Sequence, residues 1–151
     1  MLTIRPYRPS DCPVLIDLFY HTVHTINIRD YSHEQCCVWA TGTEDAVVWN
    51  RSFLAHYTIV AEIGNIIAGF GDIDKTGYVD RLFTHADYQC QGIASAICNT
   101  LESAVSVNTI ITYASITARR FFEKRGYIVI KKQKQYRQAV CLTNYLMEYK
   151  R

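Results

Sequence analysis

A chain of 151 residues suits one compact domain with a hydrophobic core of its own. Its composition, 49% hydrophobic and 20% charged, is that of a globular protein and not of a disordered one. A net charge of +2 is too small to argue for a nucleic-acid partner, and no apolar run approaches the roughly 20 residues that cross a membrane.

Residues 2–6 read as a short strand, without the apolar stretch of a signal peptide. Ser10 is placed to cap a helix running to about His24, with Leu15, Leu18 and Phe19 spaced for burial. Thr25 to Tyr31 breaks that pattern. Ser32-His33-Glu34-Gln35 has the Ser-x-x-Gln form of a capping box and opens a second helix through Trp39. A third helical piece covers about Thr43 to Leu54. This first third is aromatic and polar and holds His21, His24, His33 and His56, four of the five histidines.

Tyr57 to Ala61 is a β-branched strand, Gly64-Asn65 a turn, and Ile66 to Asp74 the returning strand, which together make a hairpin. Gly77 opens a third strand, Tyr78 to Thr84. It leads into Tyr88-Gln89-Cys90-Gln91-Gly92-Ile93-Ala94-Ser95, from which a helix leaves with Ile93, Ile97, Leu101 and Val105 on one face. A strand that turns through small residues into a helix leaves the first helical N–H groups without partners, and these favour an anion such as a phosphate. Gly92 and Ala94 would let one approach closely. A ligand-free strand–loop–helix connection fits the same residues.

Asn108 to Tyr113 is a further strand. Ser115 can cap a helix from Thr117 to Lys124, with Gly126 as its left-handed stop, and Tyr127–Ile130 and Cys141–Tyr149 form a closing antiparallel pair. The order predicts an α/β (α+β) class: a mixed, mostly antiparallel sheet flanked by helices. Six cysteines would allow three disulfides. Cys36 and Cys37 are adjacent, however, Cys90 and Cys98 lie on the loop and its helix, and no C-x-x-C spacing occurs. Reduced thiols in a cytoplasm, and no metal, are the expectation.

The element order and the motif Gln89-x-x-Gly92-x-Ala94 resemble the GCN5-related N-acetyltransferase (GNAT) superfamily, whose signature is Gln/Arg-x-x-Gly-x-Gly/Ala. A second block, Ala118-Arg119-Arg120-Phe121-Phe122-Glu123-Lys124-Arg125-Gly126-Tyr127, is similar to that family's A-x-x-F-Y-E-K-x-G-F segment. The resemblance covers nearly the whole chain and implies an acetyl-CoA-dependent transfer to a primary amine of a small molecule or peptide, by direct attack in a ternary complex. A CoA-binding module with little turnover, and an interaction domain without CoA, are the competing readings. A homodimer is compatible with exposed late strands.

By that resemblance the CoA diphosphate lies on the amides of Gln89, Cys90, Gln91, Gly92, Ile93, Ala94 and Ser95. The pantetheine arm would run along Leu82, Phe83 and Thr84, with an N–H near Leu82 or Phe83 polarising the thioester carbonyl. Ser115 stands where the family often has an Asn touching that arm. Tyr78 occupies the position where some members carry a catalytic Glu. Asp80 shares its sheet face by the period-2 rule, and is either the base or a partner of Arg81. Phe122 replaces a Tyr that in many members protonates the thiolate, and Tyr113 is the candidate substitute, against the alternative that it serves sheet packing and solvent handles the protons. His24, Arg29, Tyr31 and Tyr78 are expected along the acceptor side, against the alternative that His24 is a satisfied structural histidine. The basic run Lys131, Lys132, Lys134 and Arg137 reads first as a solvated edge, and second as an anchor for an acidic substrate.

Overall fold

A computed structural model describes residues 1–151. The elements in chain order are β1 (Leu2–Pro6), α1 (Cys12–Thr25), α2 (His33–Trp39), α3 (Ala46–Ala55), β2 (Tyr57–Ile63), β3 (Ile66–Ile73) and β4 (Tyr78–Thr84). There follow α4 (Ile93–Ser103), β5 (Thr109–Ser115), α5 (Arg119–Lys124), β6 (Ile128–Arg137) and β7 (Val140–Lys150). The strands make one seven-stranded sheet in the order β1-β2-β3-β4-β5-β7-β6. Every neighbouring pair is antiparallel except β4 and β5, which are parallel and joined through α4, as a parallel pair requires a crossover. The mixed, mostly antiparallel sheet expected from the sequence is therefore present.

Alternation along the strands divides the interior into two cores. Ile59, Ala61, Ala68 and Ile73 face α4 and α5 and pack with Ile93, Ile97, Leu101 and Phe122. Val60 and Phe70 face the other way, against Leu15, Phe19, Val23 and Phe53 of α1 and α3. The α4 layer lies close because β3 offers no side chain there. A Cβ on Gly71 would stand 2.8 Å from Ile97, and one on Gly69 3.0 Å from Ile93. The opposite layer is aromatic: Phe19, Phe53, Phe70 and Phe83 meet at tilted or edge-on angles with centroids 5.0–5.8 Å apart.

Several boundaries differ from the sequence reading. Helix α1 starts at Cys12, after a 3-10 turn over Pro9–Asp11, and Ser10 does not cap it. Asp11 organises that corner instead, accepting from the Arg8 amide and from two Arg5 nitrogens, each at 2.8 Å. Helix α3 starts at Ala46, where Asp45 caps the amides of Val47 and Val48. Helix α4 ends at Ser103, so Val105 reaches the core from the loop beyond it. Strand β6 runs to Arg137 and not Ile130, turning into β7 through Gln138 and Ala139, both at positive φ. As an edge strand with exposed lysines it lacks the alternation that marks a half-buried strand. The α2 capping box is present: Ser32 accepts from the Gln35 amide at 3.1 Å and Gln35 accepts from the Ser32 amide at 2.8 Å.

Candidate active site at the fork of strands β4 and β5

The parallel pair β4–β5 is in register only at Tyr78↔Ile111 and Val79↔Thr112. Beyond Val79, β4 stays with β3 through Thr84, while β5 stays with β7 through Ser115↔Asn144. The strands part, and the β4 edge facing β5 has no strand partner from Asp80 onward. A cavity of about 1170 Å³ fills the fork. It passes between the α4 layer on one face and the α1–α3 layer on the other.

On the α4 side, Cys90 and Gly92 both have positive φ (60° and 81°), which turns the loop tightly into the helix. Gly92 meets this without strain, and a Cβ there would touch nothing within 4 Å. The first helical bond runs from the Ala96 amide to the Gly92 carbonyl at 3.0 Å, and no side chain caps the helix. The amides of Ile93, Ala94 and Ser95 are thus unspent beside the cavity, where the helix dipole adds partial positive charge. The Gln89 side chain is used within the protein, donating to the Thr84 carbonyl at 2.8 Å and tying the loop to the end of β4. Gln89 and Cys90 also reach the wall, whereas Gln91 is not part of it.

Along β4, Ile73 pairs with Val79 and Asp72 with Arg81, which leaves Asp80 as the extra residue of a bulge. A bulge redirects its side chain, and Asp80 supplies the one carboxylate of the cavity wall. The Tyr78 hydroxyl donates to Asp80 Oδ1 at 3.1 Å, while Oδ2 lies 3.6 Å from Arg81 Nη1 and 4.0 Å from His56 Nδ1. Behind it Asp72, fully buried, accepts from the Arg81 guanidinium, from the Arg81 amide at 2.8 Å and from His56 Nδ1 at 2.9 Å. The guanidinium also lies over the rings of Trp49 and Phe53, 4.9 and 4.8 Å from their centroids. The hydrogen bond to Asp72 raises the His56 pKa above its ordinary value, against the lowering effect of burial. Burial, reinforced by the Asp80 charge, keeps the Tyr78 phenol protonated far above its usual range. Asp80 thus faces the cavity and also neighbours Arg81.

His56 and Asp72 are not singled out by sequence reasoning, although a carboxylate inside the apolar run of β3 is the signal for Asp72. Leu82, Phe83 and Thr84 line the fork next, with Tyr113 and Ser115 on β5 across from them. The Tyr113 ring meets Tyr78 edge-on at 5.7 Å. Ser115 Oγ accepts from the Ala118 amide at 3.0 Å and so shapes the turn before α5. It does not cap the helix, which starts at Arg119 and not Thr117, with Ala118 as its N-cap residue and no side-chain cap. Phe122 is on the wall but buried, edge-on to Tyr127. Tyr127 in turn donates to Glu102 at 2.6 Å, and Arg125 binds the same carboxylate, so α5 is bolted to α4.

On the α1–α3 side, Arg29 and Tyr31 both line the cavity, Tyr31 being otherwise buried. The Tyr31 hydroxyl donates to the Thr143 carbonyl at 2.7 Å and accepts from the Ile116 amide at 2.9 Å, which fixes the segment before α2 over the ends of β5 and β7. His24 is not brought to the cavity. Its Nε2 contacts the Ala40 carbonyl at 2.8 Å and its ring packs on Tyr20. Asn144 Oδ1 and Thr117 Oγ1, both on the cavity wall, are buried with no partner, acceptors that a ligand N–H would satisfy.

Comparison with known proteins agrees with this geometry. The Acetyltransferase (GNAT) domain family matches residues 27–149. The chain belongs to the GNAT family. The uncharacterised N-acetyltransferase YafP of Escherichia coli is 33% identical over 150 residues, covering 99% of this chain and 96% of its own. Among solved structures, a GCN5-related N-acetyltransferase from Rhodopseudomonas palustris superposes with a TM-score of 0.94 at 25% identity, covering 99% and 95% of the two chains. The PaiA N-acetyltransferase of Thermoplasma acidophilum, solved with coenzyme A, shares the fold at a TM-score of 0.78 and 14% identity, covering 100% and 99%. This GNAT domain is accordingly an acetyltransferase that draws on acetyl-CoA, and the unspent amides, the free β4 edge and the two orphaned acceptors fit that co-substrate. No helix of the chain is long and apolar enough to cross a membrane.

Proposed function

We propose that this GNAT chain transfers the acetyl group of acetyl-CoA to a primary amine of a small molecule or peptide, by direct attack in a ternary complex. The observation that carries this is the fork itself: one cavity holds oriented backbone donors on one side of the sheet and a single carboxylate at the point where the strands part. The thioester supplies an activated acyl carbon with a thiol as leaving group. The amides of Ile93, Ala94 and Ser95 hold the diphosphate, and the edge of Leu82, Phe83 and Thr84 pairs with the amides of the pantetheine arm. An N–H of Leu82 or Phe83 supports the thioester oxygen as charge builds on it. Ser115 and Phe122 border the arm.

Asp80 orients the amine. As the new N–C bond forms, the nitrogen's remaining protons become acidic, and Asp80 is placed to accept one. Tyr78, held protonated and bonded to Asp80, fixes the carboxylate. The Asp72–Arg81–His56 group holds it from behind. Tyr113, across the fork, is the candidate proton source for the departing thiolate.

Thiol release from acetyl-CoA across an amine panel tests the reading. Amine-dependent release supports it. CoA binding without release on any amine would instead favour a binding module with little turnover, a second reading that the missing hydroxyl at Phe122 keeps in play. No thermal shift with acetyl-CoA would remove both.

A further inference from the structure

We propose that the acceptor of this enzyme is an amine carrying a carboxylate on a short apolar or aromatic body, with Arg29 and Arg137 as the carboxylate's anchor. This rests on the cavity being the acetyl-transfer site proposed above. Three guanidinium groups line the cavity, from Arg29, Arg81 and Arg137, against the one carboxylate of Asp80. Arg81 is committed to Asp72. Arg29 and Arg137 pair with no carboxylate of the chain, whereas Arg5, Arg81, Arg119 and Arg125 all do.

The two cavity arginines without a carboxylate partner come from segments far apart in sequence that the fold joins. Arg29 ends the turn after α1, and Arg137 ends β6, paired with Val140. Tyr31 bonds the Thr143 carbonyl and Gln35 the Cys141 carbonyl at 2.8 Å, so the segment that carries Arg29 is pinned along β7 beside the strand that carries Arg137. Both lie with the α1–α3 layer and the β6–β7 hairpin, whereas the loop amides at the start of α4 lie with the opposite layer. They are therefore separate from the diphosphate cradle. The wall also includes Phe19, Trp39, Trp49 and Leu142, so the space suits an apolar body with an amine toward Asp80 and an anion toward the arginines. Guanidinium binds carboxylate in a two-point fork, which fixes orientation as well as charge. Lys131, Lys132 and Lys134 on the exposed strand leading to Arg137 add a field that draws anions to this mouth.

Both tryptophans of the chain line this cavity, which gives a readout that needs no turnover. Protein saturated with CoA is titrated with 3-phenylpropanoate and with the neutral 3-phenylpropan-1-ol, following tryptophan fluorescence. The carboxylate should bind at least tenfold more tightly, and Arg29→Gln combined with Arg137→Gln should reduce that ratio to near one. In turnover, phenylalanine should exceed phenethylamine in kcat/KM by a similar factor. Equal binding of acid and alcohol, no saturable signal with the acid, or an unchanged ratio in the double variant overturns the assignment. So does a double variant that weakens CoA itself, because the arginines would then serve the donor. A wild-type protein that shows no thermal shift with CoA fails earlier, at the reading of the cavity as a transfer site.

Discussion

The two mouths of the cavity are built by different means. On the α4 side the chemistry belongs to the backbone: three amides left over at a helix start, and a strand edge left over where β5 turns away. Side chains there mostly shape the chain, as Gln89 does by holding the loop to Thr84. On the α1–α3 side the charged groups are side chains drawn from five places: the turn around Arg29, His56, Asp72, Asp80–Arg81 and the end of β6. A backbone site tolerates sequence change so long as its turn is kept. The Asp72–Arg81–His56 group fails when one member is lost, because the others are left part-buried and short of a partner.

That contrast can be broken most forcefully at Asp72. Asp72→Asn removes the charge that Arg81 and His56 share, and leaves the part-buried guanidinium with only the more distant Asp80, 3.6 Å away. The expected cost is about 3 kcal/mol, or roughly 6–12 °C in Tm for a chain of this size. A loss below about 1 kcal/mol by urea unfolding would show that the group is not a structural unit. The pH dependence offers a second readout. A raised folded pKa means that the stability contributed by His56 is complete below its ordinary value of about 6.5 and disappears as pH rises through the raised one. Wild-type stability should therefore fall over that interval, and Asp72→Asn should flatten the fall.

Asp80→Asn is next in size. The carboxamide keeps a bond from Tyr78 but has little basicity, so kcat should fall by about 10²-fold at neutral pH. CoA affinity should be unchanged, because the two halves of the cavity are built separately. Weakened CoA binding would show them to be coupled. An unchanged pH–rate profile would remove Asp80 as the proton acceptor. On the backbone side, Gly92→Ala introduces a Cβ into the open space before the loop amides, at a left-handed φ. It should cost about 1 kcal/mol of stability and weaken acetyl-CoA roughly tenfold, with the carboxylate preference unaltered. Calorimetric titration separates the two ligands.

The same contrast explains what was legible in the sequence. Gly92, Ala94 and the apolar face Ile93, Ile97, Leu101 report a local turn and helix, and local patterns survive in one dimension. The succession of strands along the chain is equally legible where turn signals such as Gly64-Asn65 and Gly77 mark a reversal, and less so at Gln138-Ala139, which carries no such signal. Asp80 was placed on the correct strand, but the bulge that turns it into the cavity appears only when Ile73 and Asp72 are set against Val79 and Arg81. His56 carried no signal, since its meaning comes from Asp72, 16 residues away. Of the two readings of His24, the structure shows the satisfied histidine, whose ring nitrogen meets the Ala40 carbonyl. Arg137 was visible only as one charge of a basic run. What made it different from the lysines was the length of β6, which an exposed edge strand does not advertise.

The smallest expected effect lies between the two halves, at Tyr113. Phe122 is buried against Tyr127 and carries no hydroxyl, so proton delivery to the thiolate falls to another group or to water. Tyr113 is exposed enough to exchange protons with solvent, and stands across the fork edge-on to Tyr78. A thiol of pKa near 8.5 leaves readily without full protonation, so the benefit of a positioned donor is limited. Tyr113→Phe should reduce kcat by about two- to fivefold. Stability should change little, since the ring remains and its hydroxyl is at the surface. An effect near 10²-fold would mean that acid catalysis had moved intact from the α5 position to β5. No effect at any pH would leave positioning and solvent as the whole of the leaving-group chemistry.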